Sequence, residues 1–378
     1  MTNLQGAFFT LLRLAIDSGQ PLEKKLRADE WQAIYEISEQ QGLLAILFQA
    51  VEKLPKALRP DEDLLFNWYG DCYQLESLNQ HIDKTAIQVS QYYQEHGFWT
   101  CILKGQGNAL MFPNPRRRTP GDIDIWVRGR RDGVEGTYLC IKEVISHVRC
   151  LNRGAKTFYH HIDAGMADNV EVEVHYRPSF MNNLIHNHRL QKWFNEQANE
   201  RFCHQVELPD GVGCINVPKP AFNRIYMLAH INNHIINEGI GLRQLLDYYY
   251  LLKQGFTKDE QQRDISLLNR FGLYQIAGAV MYVMREVFAL EEQYLLVPVD
   301  ERCGRFLLNE ILEGGNFGWY DGRVSHDQGR LSKNIRRLKR DIRLVSYFPS
   351  ECLWEPVFRL YHFAWRVKHH GFDCKSSF

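Results

Sequence analysis

The sequence predicts an α+β fold in which a small mixed β-sheet lies between two helical segments. Apolar residues recur at the period of a helix over residues 1–97 and again over residues 218–378. Between them, residues 98–217 hold short runs of β-branched and aromatic residues bounded by glycine and proline, which is typical of strands. We therefore expect three domains with these boundaries, and a length of 378 residues agrees with two or three domains.

Composition predicts a soluble protein of the cytoplasm. Hydrophobic residues make up 45% of the chain and charged residues 24%, which is ordinary for a globular protein. Because 45 basic residues balance 45 acidic ones, net charge does not draw the chain towards nucleic acid or a membrane. The nine cysteines form no C-x-x-C pair, which disfavours a disulfide framework and fits a reducing compartment. No apolar run is long enough to cross a bilayer, so we expect no membrane partner.

The helical segments are predicted from the spacing of apolar residues and from residues that favour helix ends. We expect helices over residues 1–16, 29–37 and 61–96, and then over residues 221–237, 241–253, 259–269, 273–288, 302–312, 332–345 and 353–369. Residues 314–329 are rich in glycine and polar residues and are expected to form a loop.

The helix predicted over residues 332–345 carries a cluster of basic residues. Its members are Lys333, Arg336, Arg337, Lys339, Arg340 and Arg343. The apolar residues predicted to mark its buried side are Ile335, Leu338, Ile342 and Val345. We expect the basic side to face solvent, and the alternative is contact with a polyanionic acceptor.

The central domain is expected to alternate strands with helices. Strands are predicted over residues 98–103, 121–127, 157–162 and 169–176, with edge strands over residues 201–208 and 213–217. A short helix is expected over residues 108–112 and a longer one over residues 138–148. Prolines and the run Arg116–Arg118 indicate a loop before the second strand.

Acidic residues on two of these strands predict a metal site. Asp122 and Asp124 are two residues apart, so in a strand they project from the same face and repel each other unless a cation lies between them. The last of the four central strands alternates in the same way and places Glu171, Glu173 and His175 on one face. A cluster of Asp122, Asp124 and Glu173 would suit Mg²⁺ or Mn²⁺, which favour carboxylate ligands. The alternative is that each acidic pair only marks a solvated strand face.

A turn ahead of the aspartates has the residues of a phosphate-binding site. Lys104, Gly105 and Gly107 lie where the first strand gives way to a helix, and backbone N–H groups at such a point favour phosphate. Arg116–Arg118 would reach the same polyphosphate through charge-assisted hydrogen bonds, although runs of arginine are usually solvated. Paired metal ions held beside these groups would stabilise both the attacking and the leaving oxygen at phosphorus. The sequence therefore predicts an enzyme that catalyses an in-line displacement at phosphorus.

Several motifs in order resemble one known family. Leu103–Gly105, Arg118–Val127 and Val172–Tyr176 are similar to motifs of the uncharacterised nucleotidyltransferase family of bacteria, and so are the downstream stretches His230–His234 and Leu242–Asp247. That family belongs to the DNA polymerase β-like nucleotidyltransferase superfamily. The resemblance covers roughly residues 98–252, and a helical N-terminal segment is typical of the family as well.

The resemblance implies both a fold and an activity. It implies a small mixed sheet flanked by helices, two metal-binding aspartates and a third acid. It also implies transfer of a nucleoside monophosphate (NMP) from a nucleoside triphosphate (NTP) to an acceptor hydroxyl, with release of pyrophosphate. Two departures concern the nucleotide geometry: many members have Gly-Ser where this chain has Lys104–Gly107, and the third acid is Glu173 where aspartate is commoner.

These arguments assign roles to particular residues. Asp122, Asp124 and Glu173 are predicted to be catalytic and to bind Mg²⁺ or Mn²⁺, with Glu173 also helping to deprotonate the acceptor hydroxyl. The residues predicted to contact the nucleotide are Lys104, Gly105, Gly107, Arg118 and Gly121. The residues predicted to support the site are Glu171, His175, His230, His234, Arg243 and Asp247. The acceptor class stays open among a small molecule, a sugar, a peptide or protein, and RNA, and the alternative function is an inactive nucleotide-binding or protein-interaction module on the same fold.

Two histidines in the C-terminal segment admit more than one role. His230 and His234 are four residues apart and would share a helix face, a spacing that occurs in zinc sites. The glutamate of the H-E-x-x-H motif is missing, and no third ligand can be assigned. We expect these histidines, with Arg243 and Asp247, to form a polar contact between the helical domain and the sheet. Contact with nucleotide or acceptor is the alternative.

Overall fold

A computed structural model describes residues 3–129, 138–199, 203–323 and 330–370. The N-terminal segment forms four helices, namely α1 (Asn3–Ala15), α2 (Ala28–Gln40), α3 (Leu44–Lys53) and α4 (Glu62–Glu95). Three of them match predicted helices, and α3 was not predicted. Helix α4 begins where the Asp61 side chain accepts a hydrogen bond from the backbone N–H of Leu64, an N-cap that satisfies one of the free donors of the first turn.

The central segment forms the predicted mixed sheet. Its strands are β1 (Phe98–Ile102), β2 (Ile123–Gly129), β3 (His161–Ala167) and β4 (Val170–His175), in the order β1-β2-β4-β3. Strands β2 and β4 are parallel, whereas the two outer pairs are antiparallel. The helices of this segment are α5 (Gln106–Ala109), α6 (Tyr138–Leu151) and α7 (Leu184–Asn199), and a separate ribbon is formed by β5 (Cys203–Glu207) and β6 (Cys214–Pro218).

The C-terminal segment is helical, as predicted. Its helices are α8 (Pro220–Asn237), α9 (Leu242–Lys253), α10 (Lys258–Phe271), α11 (Tyr274–Phe288), α12 (Glu301–Gly314), α13 (Arg330–Leu344) and α14 (Pro349–His370). Within the described ranges, none of the helices is both long and apolar enough to cross a lipid bilayer. The predicted α+β class, with helices flanking the sheet on both sides in sequence, is confirmed.

Strand β3 lies later in the chain than predicted. Residues 157–162 were expected to form it, but Thr157 contributes only an isolated bridge to Ile162, and the strand begins at His161. Asp168 and Asn169 form a two-residue turn between β3 and β4, and both have positive φ angles, 47° and 63°. Such a turn matches the twist of two antiparallel strands, and asparagine and aspartate tolerate its left-handed conformation. The turn therefore fixes a hairpin that the strand pattern alone did not reveal.

The predicted orientation of α13 is wrong for three of its apolar residues. Ile335, Leu338 and Ile342 are 47%, 54% and 65% exposed. Two of the basic residues pack inward instead, because Arg340 Nε donates to the backbone carbonyl of Ile235 at 3.0 Å and Arg343 forms ion pairs with acidic residues of the C-terminal segment. Specific partners for the guanidinium groups thus outweigh the burial of the apolar stripe.

Two hydrophobic cores lie on opposite faces of the sheet. The smaller core contains Ile125 and Val174 with residues of α6 and the C-terminal half of α4. The larger core contains Trp126 together with residues of α1, α3, α8, α9 and α11, so helices of the N-terminal and C-terminal segments share it. Because side chains alternate along a strand, Asp124 and Glu173 project from the face that carries Trp126, towards the C-terminal helices.

Candidate active site

The pairing of β2 with β4 brings two acidic residues together. The parallel register places Asp124 directly beside Glu173. Neighbours in register project from the same face of a sheet, so the two carboxyl groups lie side by side. Asp122 comes just before β2, which begins at Ile123. The sheet therefore aligns the second aspartate of the D-x-D motif with the predicted third acid.

Two cationic side chains contact the carboxylate of Asp124. This residue is only 1% exposed. His175 Nε2 lies 2.8 Å from Asp124 Oδ1, and Lys104 Nζ lies 3.0 Å from Asp124 Oδ2 as an ion pair. The same His175 nitrogen is 3.3 Å from Glu173 Oε2. The site is thus a buried network of alternating charges.

These contacts change the pKa values of the network. Burial alone would raise the pKa of Asp124, but the charges of Lys104 and His175 outweigh it and lower that pKa. Burial disfavours the charged form of His175, yet its bonds to Asp124 and Glu173 raise its pKa to about 9. The pKa of Lys104 is raised in the same way, because nearby carboxylates outweigh its burial. The carboxylates and the cations therefore keep each other ionised at neutral pH.

The groups of potential metal ligands do not all match the predicted set. In the described part of the chain, the closely spaced groups of acidic and histidine ligand atoms are Asp124–Glu173–His175, His161–Asp163–Glu173 and His160–His161–His175. Asp122 belongs to none of them, although its charge raises the pKa of Lys104 and so acts on the same network. The structure brings Asp124 and Glu173 together and adds His175, while metal binding by Asp122 stays a prediction.

The turn after β1 is built around its glycines. Gly105 has a φ of 64°, a left-handed conformation in which a side chain is strained. At Gly107, an added Cβ would come within 2.7 Å of Val217 Cγ1 on β6. The helix α5 that follows has only four residues, and Lys104 is directed at Asp124. The structure therefore explains why both positions are glycine without invoking a ligand. Their contact with phosphate stays a prediction.

Arg118 lies at a contact between the sheet and the C-terminal helices. Its Nε and Nη2 donate to the two carboxylate oxygens of Asp247 on α9 at 2.7 and 2.8 Å. Both side chains are almost fully buried. Arg243, also on α9, donates to the backbone carbonyl of Pro120 at 2.9 Å, beside Gly121. These contacts hold the chain that leads into Asp122, and the predicted contact of Arg118 with nucleotide is not tested by them.

His230 and His234 extend the network along α8. Lys104 Nζ is 3.4 Å from His230 Nε2, and His234 Nε2 is 2.9 Å from the same His230 nitrogen. His234 Nδ1 then lies 3.2 Å from Glu238 Oε2. Burial and the charge of Lys104 hold the pKa of His230 well below its usual range, so this ring is neutral. The polar chain therefore joins α8 to Lys104, and within the described residues neither histidine belongs to a group of three ligands.

The sequence prediction missed two residues of β3. His161 pairs with His175, and Asp163 pairs with Glu173, in the antiparallel register. Residues opposite each other in such a pair project from the same face, so His161 and Asp163 join the acidic face of β4. The prediction ended the strand at Ile162, before Asp163, and it did not pair His161 with the acidic strand. The Asp168–Asn169 turn would have located both residues.

The residues present fit a divalent cation. The Oδ2 atom of Asp124 is buried, and in the described residues its partner is the ammonium group of Lys104 at 3.0 Å. Such an oxygen, beside the carboxylate of Glu173, is a ligand that Mg²⁺ and Mn²⁺ favour. The cluster therefore offers ligands that suit a divalent cation.

Comparisons with known proteins identify the family of this chain. A family profile described as uncharacterised nucleotidyltransferase matches residues 27–289. No curated protein gives a significant match to the chain. The crystal structure of an antigenic nucleotidyltransferase-like protein from Paracoccidioides brasiliensis aligns over 55% of this chain and 94% of that chain, with 12% identity and a TM-score of 0.30, which is too weak a likeness to support a conclusion. Because the family profile spans more than two thirds of the 378 residues, the chain belongs to the uncharacterised nucleotidyltransferase family.

Proposed function

We propose that this protein is a metal-dependent nucleotidyltransferase of the DNA polymerase β-like kind. It would transfer an NMP from an NTP to an acceptor hydroxyl and release pyrophosphate. The observation that carries this proposal is the placement of Asp124 beside Glu173 on adjacent parallel strands. In a chain that belongs to a nucleotidyltransferase family, the buried carboxylate of Asp124 beside the partly exposed carboxylate of Glu173 is a suitable place for the cation that accompanies an NTP.

Each side chain of the network has a proposed role. Asp124 and Glu173, with Asp122 nearby, would hold Mg²⁺ or Mn²⁺, and a bound ion would neutralise charge that develops on the transferred phosphate. The pKa of Glu173 is lowered: its burial raises it, but bonds from His175 and the charge of His161 outweigh that burial. Glu173 is therefore an ionised carboxylate that can accept the proton of the acceptor hydroxyl. Lys104 would exchange its contact with Asp124 for the triphosphate.

The test is a transfer assay with matched variants. The protein is incubated with each α-labelled NTP, Mg²⁺ or Mn²⁺ and cell extract, and the labelled product is sorted into nucleic acid, protein or small molecule. We expect Asp124→Asn and Glu173→Gln to lower transfer at least about 100-fold, because the charge stabilisation by a metal is worth several kcal/mol. The exposed residues Asp63 and Glu207 give the controls Asp63→Asn and Glu207→Gln, which should retain activity. Wild-type transfer rates in both site variants would disprove the assignment.

One observation favours a second candidate function. Lys104 and His175 already balance the charge of Asp124 without a metal ion. An inactive module that binds nucleotide or protein would need no more than this arrangement. Under that alternative, the wild-type protein would bind NTP, and the assay would detect neither pyrophosphate nor labelled acceptor with any extract.

A further inference from the structure

A second cluster of ligands lies on the β3–β4 hairpin, beside the carboxylates of the proposed transfer site. His161, Asp163 and Glu173 come from adjacent strands, and their ligand atoms lie within 4.8 Å of one another. The register that pairs Asp163 with Glu173 fixes this closeness through the backbone. The cluster contains a nitrogen donor and two carboxylates, so it is more than a group of acidic side chains.

The distances from His161 to the two carboxylates in this cluster suit a shared cation. His161 Nε2 lies 3.3 Å from Asp163 Oδ1 and 3.5 Å from Glu173 Oε1. Two ligand atoms that are each about 2.0–2.2 Å from one ion lie roughly 3.0–3.5 Å apart in octahedral or tetrahedral geometry. The spacing of His161 from each of the two carboxylates is therefore that of two ligands on one ion.

The two oxygens of the Glu173 carboxylate face different neighbours, His175 and His161. Its Oε2 atom lies 3.3 Å from His175, which also contacts Asp124, whereas its Oε1 atom faces His161. A carboxylate in this position can contribute one oxygen to each of two ions. Paired ions about 3.5–4 Å apart are common in enzymes that act on phosphates.

The ring of His161 is held in a suitable orientation. Its Nδ1 atom lies 3.0 Å from Nε2 of His160, a hydrogen-bond distance. Histidine ligands generally use their second nitrogen in such a bond, which fixes the ring and directs the free nitrogen at the metal. The side chains of Asp163 and Glu173 are 33% and 24% exposed, so an ion could exchange with solvent and keep water ligands.

We propose that His161, Asp163 and Glu173 form a second divalent-cation site, which shares Glu173 with the transfer site and selects ions that accept imidazole. Imidazole suits Zn²⁺ and other first-row transition metals, and carboxylates suit Mn²⁺, whereas Mg²⁺ favours oxygen ligands alone. The site therefore binds Mn²⁺ or Zn²⁺ more tightly than Mg²⁺. It is distinct from the Asp122–Asp124–Glu173 set that the D-x-D motif predicts.

The test counts Mn²⁺ bound by the full-length protein, by calorimetry and by electron paramagnetic resonance, without nucleotide. Wild type is expected to bind two Mn²⁺. Asp163→Asn and His161→Asn should each weaken one of them at least about tenfold, and His161→Asn should remove ¹⁴N modulation arising from that imidazole. Asp124→Asn should weaken the other ion only, and excess Mg²⁺ should leave the His161 ion in place. The exposed residues His204 and Asp63 supply the controls His204→Asn and Asp63→Asn, which should bind as wild type does.

Other outcomes overturn the proposal. If wild type binds no Mn²⁺, or if Asp163→Asn and His161→Asn bind Mn²⁺ as wild type does, the proposed site does not exist and the three side chains contact one another without an ion. Circular dichroism and a thermal melt establish that each variant is folded, and Asp163→Asn provides a mild change at a partly exposed residue. The count is independent of turnover, so a protein that binds two Mn²⁺ but transfers no nucleotide would refute the proposed function and retain this site.

Discussion

At the scale of single residues, the contact between Lys104 and Asp124 determines whether the buried charge of Asp124 is stable when no metal ion is bound. Asp124 carries a charge that is fully buried, and Lys104 is 19% exposed at its side chain. A buried charge that loses its partner is strongly destabilising, since neither water nor another ion replaces the lost interaction. The ammonium group of Lys104 next to Asp124 is therefore a requirement of folding.

We expect Lys104→Met to lower the free energy of unfolding by about 3 kcal/mol, because only His175 then balances the charge of Asp124. Adding Asp124→Asn to this variant should recover most of the loss, since the buried charge is removed with its partner. Urea unfolding of the four proteins of this cycle measures the coupling. Lys56, which is exposed, gives the control Lys56→Met, expected to lie within about 0.5 kcal/mol of wild type. Additive effects of the two site substitutions would contradict the prediction.

At the scale of elements, the sequence predicts the features that follow from the periodic spacing of residues. It misses the features that depend on a particular turn or on contacts with residues remote in sequence. The alternation of residues 170–175 was enough to place Glu173 and His175 on one face of a strand, because strand geometry allows no other arrangement. Strand β3 was shifted, because its position depends on the left-handed Asp168–Asn169 turn and not on apolar residues. The orientation of α13 was wrong for a different reason, since Arg340 and Arg343 find acceptors that are remote in sequence.

The packing of α13 on α14 contains an acidic contact that makes stability depend on pH. Asp341 of α13 is buried beside Glu355 of α14, and one of its carboxylate oxygens has no hydrogen-bond partner in the described residues. Burial, followed by the charge of Glu355, raises the pKa of Asp341 from 3.8 to about 7. The folded state therefore holds a proton that the unfolded chain releases once the pH exceeds about 4.

This raised pKa predicts the sign of the effect. Below pH 4 the carboxyl group is protonated in both states and has no influence. As the pH rises to about 7, the unfolded state is favoured, and the loss of stability is complete above pH 7. Asp341→Asn removes this loss, so its free energy of unfolding should exceed that of wild type by about 2–4 kcal/mol at pH 8 and by much less at pH 4.5. Denaturant unfolding at both values measures this, with the exposed Asp63→Asn as control. A gain that is equal at both pH values would contradict it.

At the scale of the whole molecule, the site face of the sheet is completed by helices from the other end of the chain. Trp126 shares the larger core with residues of the N-terminal and C-terminal segments. Helix α9 holds the chain before Asp122 through two contacts. Its Asp247 accepts from Arg118, and its Arg243 donates to the backbone carbonyl of Pro120. In both contacts the two partners are remote in sequence. The sequence suggested a polar contact between His230, His234, Arg243 and Asp247 and the sheet, but it could not specify that Arg118 is the partner of Asp247. Arg118 and Asp247 are 129 positions apart, and a contact at that separation leaves no periodic pattern in the sequence.

The Arg118–Asp247 pair therefore provides a test of how the sheet and the C-terminal helices depend on each other. Arg118→Met leaves the carboxylate of Asp247 buried and unpaired, and Asp247→Leu leaves the guanidinium in the same state, so each should cost about 3–5 kcal/mol. The double variant should recover most of this loss, because well-packed apolar residues can replace a buried ion pair. Urea unfolding followed by tryptophan fluorescence measures the cycle. The half-exposed Lys253–Glu291 pair is the control, and Lys253→Met and Glu291→Gln should each cost less than about 1 kcal/mol. If the Arg118 and Asp247 substitutions cost no more than these controls, the contact does not couple the sheet to the helices, and the position of Asp122 must depend on other interactions.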